Sequence, residues 1–345
     1  MSQARSWTAT DKVNYLNVAF LLVSCGIALV VPFELFLFAY AILGPAHYFT
    51  EISWLQKRNF FTKGKSDFWL LIALAILVCF TAPWSNSSAM YTFLAFGCAL
   101  VLVLTRGGAG RIVGLVLVGL LGLALLNSTG FPAALFLLFV PTLVHVYLFT
   151  GFFMLYGALK DRRVSGYVAF AIFLLCPLAC WLIDPGQLKP TGYAMASYWN
   201  NFSTLNLALL GIHAPQTPVE ARDALMRVFT SRTGLVVMRF IAFAYTYHYL
   251  NWFSKASVIR WHEMGVKRMG VIGLLWACAV GLYFYNFVVG FKVLFYLSIA
   301  HVYLEFPLNH VSIMGTYREL RGRMGGGKAL EPAMAVAASG GKRRK

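Results

Sequence analysis

Ten long apolar segments recur along the chain. A helix needs about 20 predominantly apolar residues to cross the hydrocarbon core of a bilayer. Hydrophobic residues make up 59% of the sequence, and charged residues make up only 12%, about half the share of a soluble domain. The pattern therefore predicts an all-α, polytopic integral membrane bundle with about ten transmembrane helices. The segments are 16–31, 33–55, 68–83, 89–105, 112–127, 131–158, 165–183, 235–253, 269–288 and 291–314.

The third, fourth and fifth segments are short, so a tilted or re-entrant pair is an alternative there. The basic residues predict the orientation of the segments. If the chain begins inside, the inner loops and the two ends hold 23 of the 29 Lys and Arg residues. Positively charged loops stay on the cytoplasmic side of a membrane, so both termini are predicted to be cytoplasmic.

The formal net charge of +17 has the same explanation. Basic residues in short loops set topology and contact anionic membrane lipids, which are one predicted partner. Nucleic acid is not a predicted partner, because the sequence contains no basic domain of the kind that binds it. The sequence gives no prediction of the oligomeric state.

The chain is predicted to form one transmembrane domain over residues 1–320. Within it, residues 184–234 form a long outer loop, and helical spacing over 218–227 predicts a helix that lies along the membrane surface. Residues 321–345 are rich in Gly, Ala and basic residues, and they are predicted to be a disordered cytoplasmic tail.

Four of the apolar segments carry a histidine: His47, His145, His248 and His301. Polar side chains are costly in hydrocarbon, and they face a bundle interior or a cavity. All four histidines lie on even-numbered segments, which run in the same direction, and the helical rise places them within roughly 10 Å of one another in depth. We therefore predict that they meet at one site in the inner half of the membrane.

Neutral imidazole is the commonest metal ligand, and it suits iron, zinc and copper. Glu51 and Glu305 each follow one of the histidines by four residues and share its helix face. They are the candidate catalytic residues, either as groups that orient the ligands or as direct ligands. Fe²⁺ is the expected cofactor, and a di-iron site, haem b and zinc are alternatives.

Polar residues near the inner end of the eighth segment are candidates for substrate binding. Asn251, Lys255 and Arg260 are expected to hold a lipid phosphate or the polar end of a substrate, or to act only as interfacial anchors. His310 lies nine residues after His301, nearly opposite on an ideal helix, and it is kept as a marginal ligand.

The motifs resemble those of the bacterial membrane β-carotene dioxygenase family, the bacterio-opsin-related proteins. The resemblance is carried by Gly44-Pro45-Ala46-His47 with an acid at Glu51, by the aromatic-flanked His248, and by His301 in a late helix. It implies a polytopic helical protein with a histidine-bound non-haem iron that cleaves an isoprenoid chain oxidatively. It also implies a location in the bacterial inner (plasma) membrane.

These observations predict a membrane oxidoreductase that uses iron and dioxygen on an apolar lipid or isoprenoid substrate. The alternatives are a proton- or ion-coupled transporter that uses the same residues as a relay, and histidines that act only as structural hydrogen-bonding groups. The ionisable residues are expected on the inner half of the membrane only, which speaks against transport.

Overall fold

Helices form all the regular structure in the part of the chain that the structure describes. This computed structural model describes residues 7–81, 85–202, 207, 210, 218–255 and 265–324. We number its helices α1 to α12 in chain order. They are Ala9–Val30, Pro32–Lys57, Phe68–Cys79, Asn86–Leu104, Ala109–Leu126, Pro132–Asp161, Val164–Leu182, Gly192–Asn201, Pro218–Thr230, Arg232–Ser254, Val266–Tyr285 and Phe287–Met324.

Each of the ten predicted segments coincides with a helix. Eight helices are long and apolar enough to cross a membrane, or nine if α9 and α10, which meet at a bend of 72°, are counted as one span. Helix α3 has only 12 residues and is about 18 Å long at the α-helical rise. The described residues therefore form an all-helical bundle with eight candidate spans, or nine with the bent pair, which is consistent with an integral membrane protein.

Helix α10 lies at the centre of the bundle. Of its 23 residues, 17 are buried, among them tyrosine, histidine, asparagine and arginine. It packs against α1, α2, α6 and α7. Helix α5 is the opposite case, since only Gly122 and Leu125 are buried and most of its other leucines and valines are exposed. A polar central helix is tolerated because its neighbours separate it from lipid.

The four predicted histidines lie on α2, α6, α10 and α12, and these helices pack in a closed ring. Helix α2 contacts α10, α10 contacts α6, α6 contacts α12, and α12 contacts α2. Two of the four contain π-helical turns, at Ala39–Leu43 in α2 and Leu135–Phe149 in α6. Proline weakens the i→i−4 bonding, and Pro141 lies inside the second π-helical stretch. These turns change which residues face the interior.

The predicted outer loop contains α8 and the predicted helix, which is present as α9. Tyr198 of α8 is fully buried against Phe33 of α2 and Phe229 of α9, so this region covers one end of the bundle. Residues 203–206, 208–209 and 211–217 lie outside the described residues. Helix α12 continues to Met324, four residues into the predicted tail, and 325–345 are also outside the described residues.

Candidate metal centre

The four histidines converge. His47, His145, His248 and His301 each offer a ring nitrogen, and these nitrogens all lie within 4.8 Å of one another. The side chains are between 2% and 6% exposed, so the group is buried inside the bundle. The prediction that these four segments bring their imidazoles to one place is confirmed.

The imidazoles follow the order of the helices around the bundle. Ring centroids are 4.7 Å apart for His47 and His248, and 4.8 Å for His248 and His145. The circuit closes with 5.1 Å from His145 to His301 and 5.4 Å from His301 to His47. Neighbouring rings stand at 66° to 82° to each other, so their edges point toward a common centre.

The distances fit a metal ion. Four imidazoles at about 2.1 Å from an ion have nitrogens about 3.0 to 4.2 Å apart, depending on the coordination geometry. The Nε2 atoms of His47 and His248 are 3.1 Å apart. Both ring nitrogens of His145 and of His301 are buried, with no hydrogen-bond partner among the described residues. Buried polar atoms are rarely left in this state, so the donor set has the character of an ion site.

The two glutamates stand beside the histidines in different ways. Oε2 of Glu51 is 2.9 Å from Nε2 of His47, the same nitrogen that faces His248. The geometry is not that of a hydrogen bond, and this oxygen has no hydrogen-bond partner in the described part of the chain. It therefore points at the shared centre. Oε2 of Glu305 is 3.4 Å from Nδ1 of His145 and leaves Nε2 of that ring for the centre. Oxygen atoms of both carboxylates also lie within 4.8 Å of a nitrogen of His301.

Two further side chains fix the orientation of the imidazoles. Thr150 Oγ1 is 2.8 Å from Nδ1 of His248, so this nitrogen can donate while Nε2 faces the centre. The ring of Tyr48 stacks on His301 at 4.1 Å, and its hydroxyl group is 2.9 Å from that of Tyr249. Sequence reasoning missed both contacts. Thr150 and Tyr48 both carry a hydroxyl group and lie within two helical turns of a histidine, which was the only indication in the sequence.

The contact between Thr150 and His248 gives a testable expectation. Replacing Thr150 with valine keeps the shape and removes the hydrogen-bond partner, so metal affinity should fall about 10- to 100-fold. Competition with a chelator, followed by metal analysis, measures the loss. Thr316→Val is the matched control, since Thr316 is buried on α12 and bonds only to the carbonyl group of Ser312. Equal affinities for the two variants would show that Thr150 does not position the ring.

Two cavities adjoin the histidines on opposite sides. One, of about 50 Å³, is lined by residues that precede the histidines, such as Tyr40, Thr142, Tyr245 and Ser298, and it is largely aromatic. The other cavity, of about 310 Å³, is lined mainly by residues that follow the histidines along the chain. Its lining residues include Glu51, Trp54, Arg58, Thr150, Phe153, Asn251, Lys255 and Glu305. The four helices therefore run through the site in the same direction, as their even-numbered segments predict.

The remaining predicted site residues have separate positions. Asn251 and Lys255 line the larger cavity, and Arg260 lies outside the described residues. Lys255 directly follows α10, and burial lowers its pKa to about 8, against the opposite effect of the Glu305 and Glu51 carboxylates. Its ammonium group is thus still mainly protonated at neutral pH. His310 is not part of the group of four, and its Nε2 lies 2.9 Å from the carbonyl oxygen of Phe96.

The fold and this site together define a helical bundle with candidate membrane spans around a buried centre of four imidazoles, and that centre has the donors of a metal site. No protein-family model matches the sequence, and no curated protein or solved structure is significantly similar to it. The geometry of the site is therefore the basis for inferring the function.

Proposed function

We propose that the protein is an integral membrane oxidoreductase that holds a non-haem Fe²⁺ ion and uses dioxygen on a lipid or isoprenoid substrate. One observation carries the proposal: four nearly unexposed imidazoles, each from a different helix, offer nitrogens within 4.8 Å of one another. The chemistry of the donors, the charge of the site and the two cavities support it.

The donor set favours iron over the alternatives. Four imidazoles and Glu51 offer five donors, which suits an octahedral ion with one open position better than zinc, whose sites are mostly tetrahedral. A haem would need the space between two opposite ligands for its macrocycle, and the other two imidazoles fill that space. A di-iron site is the competing arrangement, because Glu51, Glu305 and His301 form a second group of donors within 4.8 Å of one another, and two irons per chain would establish it.

The charges also balance. Neutral imidazoles leave the two charges of a divalent ion uncompensated, and the carboxylates of Glu51 and Glu305 supply two opposite charges. Both side chains are 1% to 2% exposed. Charges that are neutralised in place cost far less inside a membrane protein than charges without partners.

Bound iron with an open position would supply dioxygen chemistry, and cleavage of one carbon–carbon double bond by one O₂ gives two carbonyl groups. The side chains then have separate tasks. Glu305, Thr150 and Tyr48 orient His145, His248 and His301. The surrounding apolar helices exclude water, and the substrate enters from the bilayer into the adjoining cavities.

The decisive experiment combines metal analysis with oxygen consumption. Protein purified in an uncharged detergent should contain about one iron per chain, and with retinoate, an isoprenoid polyene that carries a carboxylate, as the trial substrate it should consume one O₂ for each double bond that is cleaved. Two results together would contradict this function and establish transport: no bound transition metal after reconstitution with Fe²⁺, and uptake of a solute or ion into vesicles that contain the protein.

The proposal includes ten spans with both termini on the cytoplasmic side. Single cysteines introduced in a cysteine-free background test this arrangement. Ser2→Cys and Ser339→Cys should resist a membrane-impermeant maleimide in intact cells, whereas Thr191→Cys, at an exposed position before α8, should react. Labelling at Ser2→Cys or Ser339→Cys before the cells are lysed would contradict this topology.

A further inference from the structure

The larger cavity separates its charges along its length. Glu51 and Glu305 lie at the histidine end. Arg58 and Lys255 line the same cavity, and they immediately follow α2 and α10. Each follows a histidine of its own helix, Arg58 by about three turns and Lys255 by about two: Lys255 comes seven residues after His248, which is about 10 Å at the α-helical rise. The carboxylates therefore lie beside the histidines and the two cations lie at the ends of α2 and α10, close enough for the carboxylates to raise the pKa of Lys255 against the lowering that burial causes.

The two cations are held against aromatic rings. The Arg58 guanidinium lies 4.1 Å from the ring centroid of Trp54, and the Lys255 ammonium lies 5.8 Å from that of Phe153. No carboxylate of the described residues is within 4.0 Å of Lys255. Lys255 therefore offers an ammonium group that is in no close ion pair with a described carboxylate, and Arg58 adds a second cation to the same lining.

The neighbouring surface is built for an amphiphile. Trp54, Trp252 and Phe153 supply an apolar wall beside the two cations. The volume of about 310 Å³ equals about ten groups of the size of a water molecule. One chain with a small polar end fits this space, whereas a two-chain phospholipid does not.

We propose that this cavity binds a single-chain amphiphile by its anionic end group, a carboxylate or a phosphate monoester, which contacts Lys255 and Arg58. The inference deepens the proposed function, on which it rests, by naming the substrate class. The chain runs from the cations toward the four histidines. The carbon atoms that reach the metal centre are then those about 10 Å from the charged end.

Binding to the wild-type protein tests the charge requirement without any substitution. The protein is placed in phosphatidylcholine nanodiscs and titrated by calorimetry with dodecanoate, dodecyl phosphate, dodecanol and dodecyltrimethylammonium, with empty discs as the baseline. The two anions should bind at least roughly tenfold more tightly than the alcohol, since hydrogen bonds to charged groups have about this effect. Equal binding of dodecanol and dodecanoate would overturn the proposal.

Variants then locate the site. Lys255→Met, which keeps an apolar stem, should weaken dodecanoate binding roughly 10- to 100-fold, and Lys255→Arg should restore it to within a few-fold of wild type. Lys267→Met is the matched control, because Lys267 is an exposed lysine of α11, and it should bind as the wild type does. Unchanged affinity in Lys255→Met would show that the anion binds elsewhere.

Two more measurements separate the sources of the anion and the two proposals. Phosphatidylglycerol included in the disc should not displace dodecanoate, and displacement would instead assign the site to a bilayer lipid. Metal content is measured on the same samples. If the protein selects anions but binds no iron, the oxygenase function is wrong and the anion site stands. If it binds its full iron but does not select anions, the anion site is wrong and the oxygenase function stands.

Discussion

Alanine in place of His47 or His301 is expected to abolish tight iron binding. Each substitution removes one of four converging donors and leaves the other buried imidazoles without their common ion. The loss should exceed the roughly 10- to 100-fold effect of changing an outer hydrogen-bond partner of a ligand. Elemental analysis of protein purified in detergent, after exposure to Fe²⁺ and removal of the excess, measures the result as iron per chain.

His310 provides the control for that prediction. It is buried on the same helix as His301, but its ring nitrogen faces the carbonyl oxygen of Phe96. His310→Gln keeps a hydrogen-bond donor at that position, so the variant should retain about one iron per chain. Equal iron content in wild type, His47→Ala and His301→Ala would contradict the assignment of these residues as ligands.

Replacement of Arg239 by methionine should greatly lower the free energy of unfolding of the protein. The side chain is 3% exposed and donates to the carbonyl oxygens of Leu29 and Ile183, at 2.7 and 2.8 Å. These carbonyls stand at the ends of α1 and α7, where helices leave carbonyl groups without internal partners. Two buried acceptors without donors should lower the free energy of unfolding by roughly 2 to 6 kcal/mol.

Unfolding in mixed detergent micelles, followed by circular dichroism, measures this effect. Arg232→Met is a suitable control, because Arg232 also donates to a helix-end carbonyl, that of Trp181, but is exposed. Its loss should be about 0.5 kcal/mol or less. Lysine at position 239 should recover only part of the stability, because it lacks the planar fork that reaches two acceptors. Equal stabilities of Arg239→Met and Arg232→Met would refute this account.

Arg239 also corrects one expectation from the sequence. Ionisable residues were expected only on the inner half of the membrane, yet Arg239 is buried near the ends of α1 and α7 that the predicted topology places outside. Its partners are backbone carbonyls rather than acids. Composition and spacing give no sign of such a pairing, because carbonyl groups at helix ends become accessible only when the helices are packed.

The histidine centre shows how much of the site could be predicted from the sequence. A histidine inside an apolar segment has to face inward, because exposure to lipid is costly, so the four candidates could be identified one by one. Counting residues from the segment ends left a spread of about 10 Å in depth. The nitrogens nevertheless lie within 4.8 Å of one another. π-Helical turns in α2 and α6 alter the rise and facing of two of the four helices, and simple counting does not include them.

The sequence by itself determined the class of fold, the approximate places of ten apolar segments and the inward direction of the histidines. It could do so because the free energy of transfer into lipid acts on each segment separately. Only the tertiary structure decided that the imidazoles form one closed ring, that Thr150 and Tyr48 orient them, and that His310 stays apart. Those outcomes depend on distances between helices, which are set when the whole bundle packs.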